Sequence, residues 1–149
     1  MTENIKSNLI LIAEDDSDHY HLIKNAFHGN QLSEENLFRV INGVEVMDYL
    51  LHQGKFSNKK DYPRPAMVIL DLNLPKKDGR TVLREMKSHP DLKDIPVAIL
   101  TTSINNEDEI NSYNLGANYF FRKPVLFKEY VEIIKTLQQC VVNSKNHTL

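Results

Sequence analysis

Short apolar runs that end in carboxylates, hydroxyls or a lysine constrain this chain more than any other feature. The clearest is Ala66-Met67-Val68-Ile69-Leu70, which closes at Asp71 and leads into Leu72-Asn73-Leu74-Pro75-Lys76-Lys77-Asp78-Gly79. An unbroken apolar run of this length, bounded by turn formers, reads as a strand buried on both faces in a parallel sheet. Leu9-Ile10-Leu11-Ile12-Ala13 repeats the pattern and ends in Glu14-Asp15-Asp16. Pro96-Val97-Ala98-Ile99-Leu100 ends at Thr101-Thr102-Ser103, and residues 118–121 end at Arg122-Lys123-Pro124. A further strand is expected over 36–41, with Leu37 and Val40 among its apolar residues.

Helical patterns separate the strands. Ser17 or Asp18 is expected to cap a helix carrying Tyr20, Leu22, Ile23, Ala26 and Phe27, stopped by Gly29-Asn30. Asn42-Gly43 leads into Val44, Val46, Met47, Leu50 and Leu51; Gly79 or Arg80 opens a helix with Val82, Leu83 and Met86 that ends at His89-Pro90. Asn105 or Asn106 caps a helix through Ile110, Tyr113 and Leu115 that Gly116 stops, and a last helix spans 126–142. Strands alternating with helices in this way predict a three-layer α/β sandwich of five parallel strands and five helices. Residues 54–65 are polar, hold two prolines and read as an extended loop, functional or loosely ordered. The expected organisation is one domain over 8–142, flexible termini at 1–7 and 143–149, and no output domain.

The chain has 149 residues, 41% hydrophobic and 26% charged, with a net charge of −2. That balance gives no general electrostatic reason to bind nucleic acid or an anionic membrane. Neither end carries an apolar stretch long enough for a signal peptide or a span, so a cytoplasmic setting is the expectation. Cys140 is the single cysteine, which excludes an internal disulfide.

In a parallel sheet the strand ends share one edge, where open α/β sheets bind their ligands. Glu14, Asp15, Asp71, Thr101 and Lys123 are therefore expected to converge. Clustered carboxylates resist ionising together unless a cation sits among them. Magnesium or manganese suits such a site, with oxygens from Asp15 and Asp71, the main-chain carbonyl of Asn73, and Glu14 acting through water or by holding Lys123. An aspartate carboxylate can accept a phosphoryl group, whose transition state spreads negative charge over three oxygens. Lys123 and Thr101 are placed to meet that charge. Each residue also has a plainer reading, as a helix cap, a turn residue or a solvated lysine. His19 and His21 stand two apart, on different helix faces, and do not form a zinc pair.

Together these residues resemble the receiver domain of two-component response regulators, over about 8–142. The resemblance rests on the acidic pair Glu14-Asp15, on Asp71 within Asp-Leu-Asn-Leu-Pro-Lys-Lys-Asp-Gly, on Thr101, and on Lys123-Pro124. It implies a flavodoxin-like doubly wound sheet of order 2-1-3-4-5. It implies a phosphoacceptor at Asp71, a metal near Asp15, Asp71 and the Asn73 carbonyl, and a switch formed by Thr101 and Phe120. By the same resemblance the donor is a histidine kinase, and the protein is a signalling phosphoacceptor that only assists its own phosphorylation and dephosphorylation. Phe120 stands where the family often has tyrosine, so it lacks the hydroxyl. The 54–65 loop and the Asp71 and Thr101 segments are similar to those of small stand-alone regulators that partner phytochrome-type kinases. That subgroup implies a homodimer through the fourth helix, fifth strand and fifth helix, with Val125, Leu126, Phe127 and Tyr130 as apolar material. Two other readings compete: a haloacid-dehalogenase-like hydrolase, which needs a second Asp where Asn73 stands, and a receiver-like module that ignores phosphate.

Overall fold

The strands are β1 (Ile10–Ala13), β2 (Leu37–Val40), β3 (Met67–Leu70), β4 (Val97–Thr101) and β5 (Tyr119–Arg122). They form one parallel sheet in the order β2-β1-β3-β4-β5, as expected for a doubly wound fold. The computed structural model describes residues 8–28 and 36–146. Its helices are α1 (Ser17–His28), α2 (Gly43–Leu51), α3 (Gly79–Ser88), α4 (Asn106–Leu115) and α5 (Phe127–Asn146), with a 3-10 turn at Gly54–Phe56. The helix stop foreseen at Gly29-Asn30 and the termini 1–7 and 147–149 lie outside the described residues.

Period-two alternation divides the core between the two faces of the sheet. Leu11, Ala13, Val68, Leu70, Val97 and Ile99 pack with α2 and α3, whereas Ile10, Ile12, Met67, Ile69, Ala98 and Leu100 pack with α1 and α5. Register then sets the functional edge. Ala13 pairs with Leu70, and Leu70 with Ile99, so the residues that follow these strands emerge side by side. Main-chain bonds continue the ladder there, from Asp71 N–H to Ala13 O at 3.2 Å and from Lys123 N–H to Thr101 O at 2.8 Å.

Several local expectations change. The cap of α1 is Asp16, not Ser17 or Asp18; its Oδ1 accepts the N–H groups of Asp18 at 2.8 Å and His19 at 3.0 Å. The helix begins at Ser17, so the cap is the residue just before it. Asn42, Asp78 and Asn105 cap α2, α3 and α4 with their side chains. Helix α5 continues to Asn146, into residues expected to fray.

Beyond the Gly54–Phe56 turn the 54–65 segment is a mostly exposed loop, as expected, but aromatic packing ties it down. Phe56 is buried, and Phe56 and Tyr62 meet edge to face at 5.0 Å beside Phe38 of β2 and Tyr49 of α2. The Tyr49 hydroxyl donates to Pro63 O at 2.9 Å, and burial pushes its pKa up to about 12. Two aromatics isolated in a polar stretch leave no periodic signature, which is why pattern reading missed their packing. Two apolar helix positions also turn outward, Ile110 at 60% and Tyr113 at 46% exposure, while Tyr130, expected on the dimer face, is core.

Candidate functional site

Four strand tips meet at the carboxyl edge of the sheet. Asp71, one residue beyond β3, is almost wholly buried, and both its carboxylate oxygens are engaged. Oδ1 accepts the Thr101 hydroxyl at 2.9 Å and the Asn73 N–H at 3.0 Å; Oδ2 accepts from Lys123 Nζ at 2.8 Å. Lys123 Nζ also lies 2.7 Å from Glu14 Oε1. The side chains of Lys123, Glu14 and Asp71 are only 3%, 1% and 5% exposed, so this ion cluster is shielded from water. Removing either kind of charge would leave the other buried and unpaired.

Gly79 makes the local geometry possible. A Cβ at that position would collide with the carbonyl oxygen of Asp71 and the backbone of Leu72. Glycine lets α3 begin directly against the tip of β3, where its N–H donates to Leu72 O at 2.9 Å. The Asp-Gly pair that ends the β3 loop thus has two jobs, since Asp78 caps the same helix.

Burial pushes the Glu14 carboxyl up, and the neighbouring Asp71 charge adds to this while Lys123 partly offsets it. Burial opposes the Lys123 ammonium, but its bonds and charge pairing with Asp71 and Glu14 outweigh that and hold its pKa above the ordinary lysine range. Glu14, Asp15 and Asp71 each offer a carboxylate oxygen, and these atoms lie within 4.8 Å of one another. An all-oxygen donor set with surplus negative charge fits a hard divalent cation such as Mg2+ or Mn2+.

The sequence-derived set therefore converges: Thr101 and Lys123 both contact Asp71, Lys123 also contacts Glu14, and Asp15 joins through its exposed carboxylate. Phe120 sits on β5 with its ring already buried against the α2/α3 face, and the Arg122 guanidinium lies 5.4 Å from the ring centroid. Tyr119 and Phe121 stack on the opposite face. One site residue escaped sequence reading. His19, weighed only as a zinc partner for His21, places Nδ1 2.9 Å from Lys123 Nζ. The His21 ring instead points to the Ser17 carbonyl. The His19 contact with Lys123 spans 104 residues and leaves no local signal in the sequence.

Comparison with known proteins agrees with this geometry. Residues 10–135 match the family model of the response regulator receiver domain. Response regulator Rcp1 of Synechocystis is 38% identical over 136 residues, covering 91% of this chain and 90% of its own. Among solved structures, the phosphorylated cyanobacterial phytochrome response regulator RcpA superposes with a TM-score of 0.81 at 37% identity, covering 93% of this chain and 96% of its own. The Mn2+-bound form of Rcp1 gives a TM-score of 0.78 at 37% identity, covering 88% and 91%. Fold, strand-edge chemistry and relatives agree: this chain belongs to the response regulator receiver domain family of two-component signalling.

Proposed function

We propose that Asp71 is the phosphoacceptor, loaded by a histidine kinase with a divalent cation bound by Asp15, Asp71, the Asn73 carbonyl and, through water, Glu14. The supporting observation is the Asp71 carboxylate itself, gripped from two sides by Thr101 and Lys123 inside a buried cluster. In the transfer, an Asp71 oxygen forms the new O–P bond as the bond from phosphorus to the donor imidazole nitrogen breaks, its electron pair staying on the donor ring. Lys123 turns an N–H from Asp71 to a phosphoryl oxygen, and the Thr101 hydroxyl supplies a second donor. A bound cation supplies the remaining positive charge. The product is an acyl phosphate that signals through its effect on the fold, so the protein works as a switch and not as a turnover enzyme.

Thr101 and Phe120 form the switch pair. The resemblance to Rcp1 and RcpA supports a phytochrome-type photoreceptor kinase as the donor. A homodimer through α4, β5 and α5 is supported by the apolar side chains exposed there: Ile110, Tyr113, Leu126 and Phe127, with Val125 at 96% and Ile104 at 89% exposure. No described helix is long and apolar enough to cross a membrane.

Incubation with phosphoramidate and Mg2+ tests the assignment. One phosphoryl group per chain is expected by intact mass, and none in Asp71→Asn. Full loading of that variant would overturn the assignment.

A further inference from the structure

We infer that His19 is a positioning residue for Lys123, the acceptor that keeps the ammonium aimed while its bond to Asp71 is given up. The inference rests on the phosphoacceptor reading of Asp71 and deepens it. A lysine ammonium has three N–H donors. Lys123 Nζ is hydrogen-bonded to Asp71 Oδ2 at 2.8 Å and to His19 Nδ1 at 2.9 Å, and it is ion-paired with Glu14 Oε1 at 2.7 Å outside hydrogen-bond geometry. The side chain is 3% exposed, so water is not a ready substitute for any of the three.

The His19 ring has a defined state in this arrangement. An ammonium donor cannot face a second N–H, so Nδ1 presents its lone pair and the ring proton sits on Nε2. The carboxylates nearest to Nδ1, Glu14 Oε2 at 3.9 Å and Asp16 Oδ2 at 4.0 Å, lie beyond hydrogen-bond reach. The ring is carried on the capped first turn of α1, where the His19 N–H is bound by Asp16.

The three partners do not share the same fate during the reaction. Asp71 becomes the phosphorylated group. Glu14 is shared with the cation. His19 alone of the three has no other duty in the transfer. Without it, the freed N–H of Lys123 would turn toward the unbonded Glu14 Oε1 at 2.7 Å, and the ammonium would tilt away from the incoming phosphoryl group. A small misplacement of a charged group at a reacting centre is costly to rate.

Two substitutions separate positioning from packing. His19→Leu keeps much of the bulk but removes the acceptor; His19→Asn puts an amide oxygen close to where Nδ1 stands. With phosphoramidate and Mg2+ at constant pH, His19→Leu should slow both loading and acyl-phosphate hydrolysis by about tenfold, the size expected for one charge-assisted hydrogen bond. Both steps slow because Lys123 faces the phosphoryl oxygens in each. His19→Asn should recover most of the native rate. Native rates in His19→Leu, or no recovery in His19→Asn, would overturn the inference while leaving Asp71 as the acceptor. Ring 15N spectroscopy of the unphosphorylated protein decides independently of any phosphoryl chemistry. The neutral ring should be the Nε2–H form, with an Nδ1 resonance that moves in Lys123→Met; an Nδ1–H ring would sink the idea. Should the native protein take up no phosphoryl group, the proposed function fails and the ring spectrum still reports on the Lys123 contact.

Discussion

Helices α3 and α4 are each 10 residues long and are neighbours on one side of the sheet, yet they are held in different ways. Helix α3 buries Gly79, Val82, Leu83 and Met86, while α4 fully buries only Ser112. What docks α4 is polar. Asp108 in its first turn receives two Arg80 donors from α3, at 2.8 Å and 2.7 Å, and the Ser103 hydroxyl bonds the same carboxylate. From β5, Arg122 reaches the Ser103 carbonyl at 3.1 Å and Glu109 at 3.3 Å. Apolar burial resists small displacements because a packed core has no intermediate arrangement. Directional polar bonds can be exchanged singly, so α4 is the part of this face suited to shift.

The link to Asp71, the proposed phosphoacceptor, is short. Thr101 Oγ1 meets Asp71 on one side and the Ser103 N–H at 3.4 Å on the other, so a movement of the hydroxyl bears on the loop that Arg80 and Arg122 hold. One charge-assisted bond to Thr101 supplies about 1.5–3 kcal/mol. Full inversion of a two-state equilibrium from 1:99 to 99:1 needs about 5.5 kcal/mol. On the proposed reading Thr101 alone would give a partial switch, and Lys123 contacts or dimer formation would have to supply the rest.

The contrast between the helices is most easily broken by stability measurements. Leu83→Ala in α3 should cost about 2–5 kcal/mol in urea unfolding, as expected for a fully buried leucine. Ile110→Ala in α4 should stay within about 0.5 kcal/mol, since that side chain is mostly exposed. Equal losses would mean that α4 is anchored as firmly as α3. Gly79→Ala belongs with the large effects, because the added methyl group meets backbone at the Asp71 tip and cannot be relieved by a side-chain rotation.

Next in size is the Arg80–Asp108 clamp. Breaking it with Asp108→Asn should cost about 1 kcal/mol, since the pair is bidentate but partly solvated. The Arg80 guanidinium, and after it the Ser103 hydroxyl, hold the Asp108 carboxyl down to about 2. Depression of a carboxyl in the folded state stabilises the fold above the ordinary aspartate value, near 4. That contribution is lost as pH falls from about 4 toward 2. An Arg80→Met variant should lose the part of the acid sensitivity that Asp108 carries. Hydrogen exchange should show α4 amides released in that variant while α3 amides keep their protection; uniform release would argue for a single cooperative unit.

The two helices also show what pattern reading could and could not see. Asp71, Thr101 and Lys123 were legible because each terminates or follows a strand, and parallel topology brings strand tips to one edge whatever their separation in sequence. Periodicity located α4 but said nothing of which side faced the core, so Ile110 and Tyr113 were placed with its apolar positions and proved exposed. The Arg80–Asp108 pair spans 28 residues and leaves no local trace. His19 meets Lys123 across 104 residues, from a helix and not from a strand tip. Phe56 and Tyr62 pack through tertiary contacts that no spacing rule encodes.

The smallest expected effect lies at the contact between Tyr113 of α4 and Phe120 of β5, the proposed switch residue. The Tyr113 hydroxyl accepts the Phe120 N–H at 3.1 Å. Strand β5 is the outer strand of the sheet, so this amide lies on the side with no neighbouring strand. Tyr113→Phe removes the acceptor without opening a cavity. Tyr113 is 46% exposed, so water can replace the hydroxyl and the global cost should be only about 0.5 kcal/mol, near the low end for a hydrogen bond. The local effect should be larger than the global one. Exchange at the Phe120 amide should quicken in Tyr113→Phe and remain native in Ile110→Ala, which lacks any such bond. If both variants left that amide unchanged, α4 would hold β5 only through Arg122, and its coupling to Phe120 would run through the Ser103 loop alone.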